Sequence, residues 1–132
     1  MTSFAAAYLV EKGLIDWSSL FIELYPDWKK DIDSSHWDIT LDGLLSHRAA
    51  IKPYWTEEEF DSLDLIPVYS NTISDRRREF SKYVLNQPPT PPDHKNFRYS
   101  NAGYSVATQM LEKASGLTWE ELLLKVFNED LN

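Results

Sequence analysis

The sequence predicts an all-α fold, and two observations favour this class. No segment shows sustained alternation of apolar and polar residues, and no Asn-Gly or Asp-Gly pair joins two such segments as a hairpin signal. Apolar residues recur instead at helical spacing, and two Thr-x-x-Glu capping boxes, Thr56 to Glu59 and Thr118 to Glu121, are typical of helix starts. We therefore expect helices joined by turns, without a sheet.

The first predicted helix covers Phe4 to Val10, with Thr2 or Ser3 as its cap and Gly13 just past its end. This segment is apolar on every side, and such a helix should be buried on every side. In a domain of 132 residues that burial is demanding. The pattern therefore indicates that part of the helix's partner surface is missing.

Shorter elements follow. A turn or two of helix is expected before Pro26, which closes it, and residues 27–38 are polar and read as irregular. Thr40 can cap a helix that carries Leu41, Leu44 and Leu45 on one face. The box at Thr56 then opens another helix.

The second half of the chain is divided by a proline-rich linker, residues 86–96. A helix from about Ile73 to Leu85 must stop there, because proline lacks an amide donor and forces the preceding residue toward an extended conformation. The next helix begins between Phe97 and Asn101 and ends at Gly116. Its predicted buried stripe is Tyr104, Ala107, Leu111 and Ala114. The box at Thr118 opens the last helix.

Composition limits the partners. With 132 residues, 42% of them hydrophobic, the chain is expected to form one helical domain, residues 1–132. A formal net charge of −8 argues against nucleic acid and against an anionic membrane surface, since both attract basic faces. No membrane-spanning stretch or signal peptide is evident, and the compartment stays open because the chain has no cysteine.

Four segments in order carry a family resemblance. Tyr99-Ser100-Asn101 with Gly103-Tyr104 resembles the Tyr-x-Asn element of the serine β-lactamase and penicillin-binding-protein superfamily, in its class C-like branch. Residues 1–13, 14–28 and 39–47 are similar to the helix after Ser-x-x-Lys, the passage that follows it, and the Ile-Thr-x-x-x-Leu-Leu-Thr-His segment. That last segment usually continues to a glycine, whereas this chain has Arg48-Ala49-Ala50. The resemblance implies a helical subdomain of a β-lactamase-like fold, lacking the α/β sheet half.

The resemblance also implies roles for two side chains. Tyr99 would lie beside the nucleophile as a general base or proton relay, and Asn101 would hold the substrate's amide. A phenol becomes a useful base only when a neighbouring lysine cation lowers its pKa from about 10. The serine and lysine of Ser-x-x-Lys are absent, as is Lys-Thr-Gly, and alignment would put the missing lysine about two residues before Met1. We therefore expect a fragment of an acyl-serine hydrolase, inactive by itself, with a small-molecule or peptide substrate only in a longer parent.

Alternatives to this interpretation remain open. The chain could be a free-standing all-α interaction module or pseudoenzyme, and Tyr99 and Asn101 could merely close a loop, with Asn101 capping the next helix. Adjacent Ser46 and His47 cannot act as a nucleophile and base pair, because neighbouring helical residues point about 100° apart, so His47 is given a structural role.

Two further expectations concern ligands and association. The three histidines fall in unrelated segments without the spacing of a helical zinc site, so no metal or other cofactor is expected. If the α/β half is missing, Phe4, Tyr8 and their neighbours should form an exposed apolar patch that drives self-association.

Overall fold

Helices account for the regular structure in the computed structural model, which describes residues 1–54, 56–61, 66, 72–89 and 96–129. No strand occurs in these ranges, where Leu20 and Thr40 form an isolated bridge, so the predicted all-α class is confirmed for the part described. Two 3₁₀ turns, Pro26–Trp28 and Ser34–His36, lie between the second and third helices. The α-helices are α1 Thr2–Glu11, α2 Phe21–Leu24, α3 Leu41–Leu45, α4 Glu57–Asp61, α5 Ile73–Asn86, α6 Asn101–Ser115 and α7 Trp119–Glu129.

Helix α6 lies at the centre of the fold and packs against α1, α2, α3, α5 and α7. The predicted stripe was too narrow, because burial extends around much of the helix. Ala107 and Leu111 are fully buried as expected, but so are Val106 and Met110, whereas Tyr104 is only partly buried. A central helix has neighbours on several sides, whereas a single apolar stripe is typical of a helix that packs on one side only.

Helix α1 packs on α6 and α7 through Ala5, Ala6 and Leu9. The helix is not buried on every side, because Phe4 is 47% exposed, as expected for a helix that lacks part of its partner surface. The predicted cap was wrong: Met1 occupies the N-cap position and makes no side-chain hydrogen bond there. The predicted end is confirmed by Gly13, whose φ of 71° is the left-handed conformation that glycine adopts most easily.

The predicted capping residues of three later helices are confirmed. Thr40 Oγ1 accepts a hydrogen bond from the Gly43 amide at 3.0 Å. The boxes opened by Thr56 and Thr118 are both reciprocal, each threonine hydroxyl accepting from the glutamate amide while the glutamate carboxylate accepts from the threonine amide. These bonds satisfy amides that have no partner within the first helical turn.

Residues 27–38 hold more structure than predicted. Phe21, Tyr25 and Trp28 pack with ring centroids 4.3–5.6 Å apart, and the two 3₁₀ turns lead the chain past them. Buried His36 binds the carbonyl oxygen of Gln87 through Nε2 at 2.9 Å. This tertiary bond ties the segment to the end of α5.

Helix α5 ends at Asn86, two residues before the first proline of the predicted linker. Residues 90–95 of that linker, including His94, lie outside the described residues, as do Trp55 and residues 130–132. One cluster of buried apolar residues draws on α1, α2, α3, α5, α6 and α7.

Candidate active site

Tyr99 and Asn101 meet at the surface, at the start of α6. The Tyr99 hydroxyl donates a hydrogen bond to Asn101 Oδ1 at 3.0 Å. Both residues are exposed, Tyr99 to 46%, while the intervening Ser100 is buried. The extended backbone before the helix produces this alternation, because successive side chains of an extended segment point to opposite sides. Two polar groups that can bind a ligand therefore share one face.

Ser100, rather than Asn101, caps α6, so the alternative in which Asn101 is the cap is wrong. Ser100 Oγ accepts from the Gly103 amide at 3.0 Å and donates to the carbonyl oxygen of Lys52 at 3.1 Å. Serine and asparagine are equally good caps, and the carbonyl of Lys52 gives the serine hydroxyl a second partner. Asn101 is consequently left on the surface, with its side chain turned to Tyr99.

His47 lies directly behind the Tyr99 segment. Its carbonyl oxygen accepts from the Arg98 amide at 2.8 Å, and its Nδ1 accepts from the Ser100 amide at 3.0 Å. The imidazole ring lies 4.5 Å from the Tyr99 ring and 5.0 Å from the Tyr104 ring, measured between centroids. These contacts agree with the structural role predicted for His47.

The turn after α3 has an unusual backbone. His47, Ala50 and Tyr54 have φ angles of 60°, 54° and 58°. Residues other than glycine adopt this left-handed conformation at a cost of about 1–2 kcal/mol. Ala50 stands where the resemblance would put glycine. Ala50 thus adopts a conformation that glycine enters more easily, and this turn directs His47 and Lys52 toward the Tyr99 segment.

The N-terminal end of α1 lies beside the same region. The Tyr104 hydroxyl donates to the carbonyl oxygen of Leu45 at 3.1 Å, and the Ser3 hydroxyl lies 3.3 Å from that phenol oxygen. Tyr104 lies one turn along α6 from Asn101. The start of α1, the end of α3 and the start of α6 therefore converge at one edge of the molecule.

Sequence reasoning found Tyr99 and Asn101 but missed the tertiary bonds that hold them. His47 and Ser100 are 53 residues apart in the chain, and neither carries a local signal of the other.

Within the described ranges, no three His, Cys, Asp or Glu side chains gather as a metal site. None of the helices described is both long and apolar enough to cross a bilayer.

Comparison with known proteins agrees with this architecture. The Beta-lactamase family model matches residues 1–127, almost the whole length of the chain, and the chain therefore belongs to the β-lactamase family. The described helices form an all-α part of a β-lactamase-like domain. No individual curated protein matches the chain.

Proposed function

We propose that this chain is the helical part of an acyl-serine hydrolase and contributes Tyr99 and Asn101 to its active site. The observation that carries the proposal is the hydrogen bond between these two exposed side chains, at the edge where α1, α3 and α6 converge. Membership of the β-lactamase family supports an attack by serine on an amide, ester or lactam carbonyl.

Tyr99 is proposed to move the proton of the nucleophile. As a phenol it donates to Asn101, and as a phenolate it would accept the proton that the serine hydroxyl loses on attack. A lysine cation beside it would favour the phenolate form. This chain has no Ser-x-x-Lys, so both the nucleophile and the cation would come from sequence outside it.

Asn101 is proposed to bind the substrate. Because its Oδ1 accepts from Tyr99, its amide nitrogen is the group that can donate to a substrate carbonyl. One side chain would thus orient both the base and the substrate.

The position of α1 supports a nucleophile located just upstream. Ser3 reaches Tyr104, one turn from Asn101, so residues that extended α1 backward would continue along the same edge. A lysine about two residues before Met1 would lie less than one further helical turn away.

The test is kinetic and uses a longer protein that includes the upstream and downstream reading frame. We expect Tyr99→Phe to lower kcat by about 10²–10⁴ with β-lactam or p-nitrophenyl ester substrates. Asn101→Ala should raise KM by about tenfold, since it removes one hydrogen bond to substrate. Tyr83→Phe and Asn86→Ala, on α5, are the matched controls and should change neither constant.

The chain by itself should not turn over these substrates. Loss of the nucleophile in such an enzyme costs on the order of 10⁶ in rate. Hydrolysis of nitrocefin well above background by the purified chain would contradict the proposal, as would wild-type kinetics in the Tyr99→Phe variant.

A further inference from the structure

We propose that His47, neutral and protonated on Nε2, is a positioning residue that fixes the geometry of Tyr99 and Asn101. The inference rests on the proposed function, while the contacts that support it lie within this chain. It concerns a residue that contacts neither a substrate nor the reacting atoms, and acts through the backbone of the segment that carries both site residues.

The backbone of Tyr99 is held from both sides by one residue. The His47 carbonyl oxygen accepts from the Arg98 amide at 2.8 Å, and His47 Nδ1 accepts from the Ser100 amide at 3.0 Å. Tyr99 lies between these two amides. The backbone position of Tyr99 is therefore set by two bonds to a single residue in the turn after α3.

The histidine's backbone conformation makes both bonds possible. A φ of 60° turns its carbonyl and its ring toward the same neighbouring segment. Histidine and asparagine adopt this conformation more readily than most residues. The ring is then packed by Tyr99 at 4.5 Å, Tyr104 at 5.0 Å and the edge of Phe97 at 5.6 Å.

The hydrogen bond from the Ser100 amide determines which ring nitrogen of His47 carries the proton. A ring nitrogen that accepts an N–H bond cannot itself carry a proton, so the proton of neutral His47 is on Nε2. Protonation of Nδ1 would place two donors face to face and break the bond.

The first test needs no variant. Nitrogen NMR of the purified chain, labelled in histidine, reports which ring nitrogen carries the proton. We expect His47 Nδ1 to be unprotonated and Nε2 to carry the proton at pH 8, with the Ser100 amide protected against hydrogen exchange. A proton on Nδ1 at pH 8 would overturn the proposal.

Two variants separate the hydrogen bond from ring packing. His47→Asn keeps an acceptor atom two bonds from Cβ and tolerates the left-handed backbone, but lacks the ring. His47→Phe keeps a ring between the two tyrosines and lacks the acceptor. We expect the Ser100 amide to exchange about tenfold faster in His47→Phe and at nearly the wild-type rate in His47→Asn.

The opposite order, with His47→Phe protected and His47→Asn unprotected, would show that His47 only fills space and would overturn the proposal. Far-UV circular dichroism establishes that each variant is folded. These readouts do not involve hydrolysis, so they stand or fall separately from the proposed function.

Discussion

Replacing Ser100 with alanine tests how the candidate site is held. The substitution removes the cap of α6 and the bond to the Lys52 carbonyl together. Loss of the cap costs about 1 kcal/mol, and loss of the second hydrogen bond costs about 1 kcal/mol more. We expect the free energy of unfolding to fall by about 2 kcal/mol.

The matched control is Thr118→Ala, which removes the cap of α7, where the threonine hydroxyl accepts from the Glu121 amide. It should cost about 1 kcal/mol. In urea unfolding followed by tryptophan fluorescence, a slope of about 2 kcal/mol per molar converts these losses to midpoint shifts of about 1 M for Ser100→Ala and about 0.5 M for Thr118→Ala. Equal shifts would refute the reasoning, because the bond to Lys52 would then contribute nothing.

Three other predictions concern the rest of the molecule. Glu112→Ala should lower the free energy of unfolding by about 3 kcal/mol, because the Glu112 side chain is only 10% exposed and its carboxylate binds the Arg77 guanidinium and the first amide of α7. Glu120→Ala, at a side chain 50% exposed, should lower it by less than about 1 kcal/mol. Similar urea midpoints for the two variants would contradict this. Burial raises the pKa of Tyr25 and of Tyr54 to about 12, above the unfolded value of about 10, so stability present below pH 10 should be lost as pH rises through about 12. Between pH 9 and pH 11 the urea midpoint should fall less in the Tyr25→Phe, Tyr54→Phe double variant than in the wild-type chain. An equal fall in both would refute the assignment. Wild-type chain should self-associate with rising concentration in sedimentation and Phe4→Ser should not, because Phe4 is 47% exposed; a wild-type monomer throughout would contradict this.

Local chemistry explains which parts of the fold the sequence predicted. Thr40, Thr56 and Thr118 were identified as caps because the amides they bind lie three residues away in the chain. Gly13 and Gly116 ended helices as expected, both at a φ of 71°, since few other residues adopt that conformation cheaply.

Tertiary contacts determined features of the fold that the sequence alone could not predict. Ser100 and Asn101 are equally suitable caps, and the carbonyl of Lys52, 48 residues away, provides the serine with a further bond. The breadth of burial on α6 likewise depends on five neighbouring helices. Tyr99 and Asn101 themselves were found through a family motif, and their catalytic roles stay predictions.

The two hydrogen bonds between His47 and the Tyr99 segment could not be predicted from the sequence for a different reason. They depend on a left-handed turn in which Ala50 stands where the resemblance would put glycine, and the sequence alone left the conformation of this turn undetermined. The φ of 54° at Ala50 is a tertiary outcome, because alanine has no local preference for the left-handed region.

Whether Tyr99 and Asn101 serve an acyl-serine site can be read from the genomic sequence in frame with this chain on both sides. We expect Ser-x-x-Lys ending about two residues before Met1, and Lys-Thr-Gly or a close variant downstream of Asn132. Stop codons on both sides would contradict this expectation, and a free-standing binding module would then be the better interpretation.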